Sequence, residues 1–299
     1  MYDKSDPRAS LAPKGATAAP KTGLIAEAQE AHFYQEPPQV DDASGKTWLV
    51  RGHNFVLACS EAKEGAQFVR EDQADEYAVL LPESGAVIEW NGTTTKVPGW
   101  SLAFVPAGDS VVSVTDGGPV TRLFTSQAKD LAKQCSNAGG YDEPRSHIPD
   151  FAAWPEPKDG WKVRHYSLDV EPQEGRFGRI FRCTTMMVNV LDPFFGPRDA
   201  SKMSPHHHDD FEQCSLAIKG EFSHYLRWPW TTDMADWRDD MTVTMQSPSA
   251  LVIPPPVVHT TRAVVAGENQ LIDIFCPPRM DFSEKRGWVL NADDYPMPS

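Results

Sequence analysis

The chain states one β phrase twice. From Glu76 it reads EYAVLLPESGAVIEWNG and then VPGWSLAFVPAGDS; from Glu212 it reads EQCSLAIKGEFSHYL and then SPSALVIPPPVVHT. Each copy gives a strand, a Gly-centred turn, a second strand, a gap, and an apolar strand closed by a Pro-rich turn. An internal repeat of this kind predicts two similar units. Helical periodicity is scarce. Short apolar runs broken by turn residues, such as FVLACS, RIFRCTTMMVNVL, HTTRAVV and NQLIDIFC, point to an all-β sandwich or barrel. The polar, Pro-rich stretch 127–162 divides the two units and carries one short helix in SQAKDLAKQC. Residues 1–44 are expected to form an arm, with a short helix over 25–32. The units are then 45–126 and 163–285, followed by a tail at 286–299.

The second unit contains SPHHHDDFEQ, beginning at Ser204. Residues i and i+2 of a strand face the same way. His206 and His208 can therefore point into one site, while His207 points away. Far downstream, IPPPVVHTT places His259 just past a Pro-rich turn. A His pair on one segment and a third His from a distant strand end is how a sheet converges imidazoles on one metal, and imidazole suits Zn, Cu, Fe and Ni.

His206-x-His208, four residues, Gln213, six residues, Gly220 resembles the first cupin motif, and VIPPPVVH resembles the second, with His259 as its histidine. The resemblance covers roughly residues 45–285, so the chain resembles a bicupin. It implies two double-stranded β-helix (jelly-roll) barrels with a few short helices, and a metal held by three His and one carboxylate or amide. Gln213 stands where a glutamate is usual. Glu212 is the alternative fourth ligand, at a spacing one residue shorter. Pro256 replaces the usual Gly of the second motif. The first unit has REDQADEY and FVPAGDSVV at the matching places, with no His. It resembles a cupin fold without a metal site.

Other candidates lie nearby. Arg182, in an expected barrel strand, and Arg262, three residues after His259, are candidates for gripping a substrate carboxylate. His224, Arg227 and Trp228 follow Gly220 and are candidates for a pocket wall; packing between units or subunits is the competing role for the tryptophans Trp228, Trp230 and Trp237.

Composition narrows the function. The formal charge of −14 repels phosphate backbones, so no nucleic-acid partner is expected. No run of 18 apolar residues exists, so no membrane span is expected. The five cysteines, Cys59, Cys135, Cys183, Cys214 and Cys276, are far apart and suggest buried thiols in a cytoplasmic protein. No GxGxxG, GxxxxGK[ST] or GxSxG occurs. The resemblance implies one divalent transition metal per chain, Fe(II) first and Zn, Mn or Ni as alternatives, with a small-molecule substrate and a homodimer. Three functions stay open: a dioxygenase acting on a chelating anion (diketone, enediol or phenolic acid), a non-redox lyase, isomerase, cyclase or aminohydrolase, and a ligand-binding protein without turnover. Because protons compete with metal for imidazole, affinity is expected to fall below about pH 6.

Overall fold

A computed structural model of the chain describes residues 7–10, 24–143 and 145–298. The arm's residues 1–6 and 11–23 lie outside the described residues. The fold is all-β, with single-turn helices at Lys129–Ala132 and Met280–Ser283 and short 3-10 turns. The first of these helices falls within SQAKDLAKQC.

Two seven-stranded sheets form the centre. The first runs in the order Arg164–Ser167, Ser101–Val105, Tyr77–Leu81, Gly118–Thr125, Phe55–Ala62, Gly45–Arg51, Val40–Asp42. The second runs Gln29–Ala31, Ser249–Ile253, Glu212–Lys219, Glu268–Cys276, Met187–Val190, Arg179–Arg182, with Phe194–Phe195 paired to Glu268–Cys276. A four-stranded sheet covers the inner face of the first through Phe68, Ile88 and Val112 against Val56, Val79 and Phe124. A three-stranded sheet (Met241–Gln246, Glu221–Arg227, Val258–Ala263) covers the second through Leu226 and Met245 against Leu251 and Ile253. The result is two jelly-roll barrels, one for each copy of the repeated phrase.

The barrels join back to back. Leu57, Leu80, Leu102 and Leu123 of the first sheet share one core with Val188, Leu216, Val252 and Ile274 of the second. A fully buried residue of this size contributes about 1.5–3 kcal/mol. The five cysteines are free and buried, and Cys59, Cys183, Cys214 and Cys276 lie in this shared core.

Three strand pairings cut across the expected boundaries, the first being Val40–Asp42 of the expected arm on Gly45–Arg51. The stretch 25–32 is not a helix. Gln29–Ala31 is an edge strand on Ser249–Ile253, and Ala31 and Phe33 are buried in the shared core. The strand partner supplies the backbone bonds that a lone helical turn would have had to make internally. Conversely, Arg164–Ser167 pairs with Ser101–Val105 of the first sheet.

Candidate metal centre

Strand parity decides what enters the second barrel. Along Glu212–Lys219, Cys214 and Leu216 face the shared core, so Gln213 and Ser215 face the barrel interior. Gly220 then turns the chain into Glu221–Arg227 at φ +88, where an added Cβ would lie 2.4 Å from the Asn269 side-chain oxygen. That glycine is needed for the turn, and the turn sets the register of Gln213.

His206 is fixed by a clasp. Its backbone N–H donates to the His259 carbonyl (3.0 Å), and its own carbonyl accepts from the His259 N–H (2.8 Å). The rings of His206, His208 and His259 stand 4.5–5.2 Å apart between centroids. Their ligand nitrogens all lie within 4.8 Å of one another. Gln213 Oε1 is 3.0 Å from His208 Nε2 and 3.2 Å from His259 Nε2. His207 is half-exposed beside Asp209.

The hydrogen bonds around this group fix which atoms carry lone pairs. His206 Nδ1 lies 2.8 Å from the Ser204 carbonyl and His259 Nδ1 3.0 Å from the Val257 carbonyl. A carbonyl only accepts, so each Nδ1 carries the hydrogen and each Nε2 keeps a lone pair. Gln213 Nε2 donates to Ser215 Oγ (3.1 Å) and Asp273 Oδ1 (3.0 Å), which turns Oε1 toward the imidazoles. His259 Nε2 and Gln213 Oε1 are therefore two acceptors face to face. A proton does not resolve this at neutral pH. Burial pushes His259 down to about 4, and it holds His206 and His208 well below the usual imidazole range. A cation between them does resolve it. The donor set of three imidazole nitrogens and one amide oxygen fits a divalent transition metal.

Glu212, the alternative fourth ligand, points to the opposite face. Its Oε2 accepts the backbone N–H groups of His53 (2.7 Å) and Asn54 (3.1 Å) from the first barrel. Burial pushes this carboxyl up to about 7. One residue along a strand reverses the side chain, so Glu212 serves the junction between barrels and not the imidazole cluster.

A cavity of about 440 Å³ opens onto His206, Gln213, His259 and Asp273. Arg8, Arg198 and Lys202 line it with positive charge, and Phe177, Phe194 and Phe195 with aromatic surface. The Arg8 guanidinium lies 4.0 Å over the Phe177 ring and donates to Ser204 Oγ (3.1 Å). Arg198 donates to the same Oγ (3.0 Å) and to the Thr261 carbonyl (2.9 Å).

The five residues proposed from sequence for substrate lie off this cavity. Arg182 is buried and donates to the Tyr295 carbonyl at 2.6 and 3.2 Å, tying the C-terminal tail to the barrel. Arg227 is exposed and paired with Asp240. Trp228 is buried and donates to the Ala26 carbonyl (2.9 Å), so it packs on the arm. Arg262 donates to the Arg198 carbonyl (3.1 Å) and so supports the cavity from behind. His224 is buried 3.0 Å from Thr261 Oγ1, and burial pushes it down to about 3. Trp230 and Trp237 stack on each other at 4.6 Å. Sequence reasoning missed Arg8, Arg198, Lys202 and Asp273. Only Asp273 left a signal, as a lone acid inside the apolar run LIDIF.

The same register can be followed in the first barrel. Gln213 sits opposite Ile253, the last residue of its strand; Tyr77 sits opposite Val105, the last of its own. Ser215 opposes Asp273, and Val79 opposes Arg122. Tyr77 thus takes the place of Gln213 and the Arg122 guanidinium that of the Asp273 carboxylate. Tyr77 Oη bonds Ser110 Oγ at 2.9 Å. Among the described residues, the His, Cys, Asp and Glu side chains close enough together to hold a metal ion are His206, His208 and His259.

No protein-family model matches the sequence, and no curated protein sequence matches it. Solved structures do. A variant of Bacillus subtilis oxalate decarboxylase aligns over 85% of this chain and 78% of its own, with a TM-score of 0.57 at 14% identity. The oxalate decarboxylase of Lactobacillus farciminis, in a formate complex, aligns over 86% of this chain and 89% of its own, with a TM-score of 0.57 at 13% identity. A further B. subtilis oxalate decarboxylase structure, described for its Mn(II) centres, has a TM-score of 0.55 at 13% identity. At such identities the likeness is one of architecture, and the chain has the cupin jelly-roll fold that these decarboxylases share.

Proposed function

We propose that this protein is a metal-dependent cupin enzyme that acts on a chelating organic anion. One observation carries the reading: His259 Nε2, whose ring hydrogen is held at Nδ1 by the Val257 carbonyl, meets Gln213 Oε1 across 3.2 Å, acceptor to acceptor. His206, His208, His259 and Gln213 would hold one divalent transition metal. When bound, the metal supplies Lewis acidity and, if it is iron, a site for O₂. All four donors are neutral, so the metal's charge is left for an anionic substrate. Arg8, Arg198 and Lys202 attract and orient that anion, and the phenylalanines exclude water around its apolar part.

The first reading of the reaction is dioxygenation with Fe(II) of a diketone, enediol or phenolic acid. The second is a lyase reaction with Mn(II), favoured by the likeness to decarboxylases, one of them described for its Mn(II) centres. The test is metal analysis of protein purified without chelators, followed by turnover assays with Fe(II) and Mn(II) protein on small carboxylates, diketones and phenolic acids. Oxygen uptake matched to product supports the first reading. Carbon dioxide release without net oxygen uptake supports the second. Protein that retains less than stoichiometric metal after loading refutes both.

A further inference from the structure

We propose that Asp273 is a positioning residue that fixes which atom of the Gln213 amide faces the metal. The inference rests on the metal reading above. In the cupin pattern the fourth ligand is a carboxylate or an amide; here it is the amide of Gln213, and a carboxylate stands directly behind it. Asp273 Oδ1 accepts from Gln213 Nε2 at 3.0 Å and from Ser215 Oγ at 3.0 Å. Gln213, Ser215 and Asp273 are all more than nine-tenths buried. Ser215 and Asp273 are directly opposed across two paired strands, so this bond is built into the sheet register.

The arrangement has two consequences. It aims the Gln213 carbonyl, because the opposite rotation would set Oε1 against Asp273 Oδ1, acceptor against acceptor, and lose the bond that Gln213 Nε2 donates there. It also polarises that carbonyl, since an acceptor on the amide nitrogen strengthens the amide oxygen as a ligand. A ligating glutamate at position 213 would bring two carboxylates about 3 Å apart in a buried site, which disfavours both being charged. Gln213 and Asp273 therefore act as one unit, and replacing the amide alone should not produce a better site.

The test is a double-mutant cycle on Mn(II) affinity of metal-free full-length protein, read by chelator competition and by the Mn(II) spin-resonance spectrum. Gln213→Glu alone should bind Mn(II) no more tightly than wild type. Gln213→Glu with Asp273→Asn should bind at least about tenfold more tightly than Gln213→Glu alone, because the Asn amide can donate to the new carboxylate. Asp273→Leu should lower affinity at least about tenfold. Asp273→Asn, which keeps size and one acceptor, should fall between wild type and Asp273→Leu, with an altered spectrum at unchanged stoichiometry. Additive effects on affinity, or an unaltered spectrum in Asp273→Asn, would overturn the role of Asp273 while leaving the metal reading intact. Wild-type protein that binds no Mn(II), Fe(II) or Zn(II) would instead remove the metal reading itself. If Asp273→Leu does not fold, the comparison of the two Gln213→Glu backgrounds decides the matter.

Discussion

Acidification from pH 7 to pH 5 should leave metal affinity nearly unchanged while it destabilises the metal-free protein. Both effects follow from the burial of one imidazole. An ordinary histidine, with a pKa near 6.5, would be about 97% protonated at pH 5 and would cost a metal roughly 30-fold in affinity. His259 is pushed down to about 4 by burial, so at pH 5 it is about 10% protonated and the cost is roughly 1.1-fold. Burial moves His206 and His208 the same way. The acid limb expected from sequence below about pH 6 therefore shifts toward pH 4. Folding supplies the difference. The folded pKa of His259 lies below the unfolded one, so the unfolded chain binds more protons between about 4 and 6.5. Stability from this group is complete above pH 6.5 and is lost as pH falls toward 4, by roughly 2 kcal/mol between pH 7 and 5. The assay is a Zn(II) or Mn(II) titration of metal-free protein against a chelator calibrated at each pH, paired with urea melts. An affinity loss of about 30-fold or more by pH 5, in protein that is still folded, would falsify the reasoning.

Elemental analysis of loaded protein should give one metal per chain, and His259→Ala should lose it while keeping the wild-type far-UV spectrum. Glu212→Ala should retain that metal but lose about 2–5 kcal/mol of stability in urea melts, because the N–H groups of half-buried His53 and buried Asn54 lose their acceptor. Arg198→Ala should raise KM about tenfold or more with a smaller change in kcat, since its cavity position suits anion binding. Arg227→Ala, at an exposed ion pair outside the cavity that Arg8 and Arg198 line, should change neither the thermal midpoint nor turnover.

The parts of this architecture that obey a short period could be read from residues alone. Alternation and turn residues gave the two β units. The i, i+2 spacing of His206 and His208, with Gly220 fixing the register of Gln213, brought out the cluster. What could not be read was the destination of a side chain that is merely inward. His224, Arg182 and Trp228 are all buried, yet what each meets is a threonine, a tail carbonyl or the arm. Periodicity reports a face and not its neighbour. Arg8 reaches the cavity from the far end of the chain, where no local pattern marks it. Gln29–Ala31 is too short for alternation to be visible, and its partner strand is more than two hundred residues away.

The exchange of edge strands has a consequence for how the molecule can be taken apart. Gln29–Ala31 seals the rim of the sheet that ends at Ser249–Ile253, and Arg164–Ser167 seals the rim at Ser101–Val105. Each half thus keeps the other's border closed. A cut within 127–162 yields two fragments, and the sealing strand of each rim stays with the opposite fragment. Separated, each would show a bare row of backbone donors and acceptors, the template on which chains stack into aggregates. The division that the repeated phrase draws along the sequence is not a line along which the folded protein can be divided.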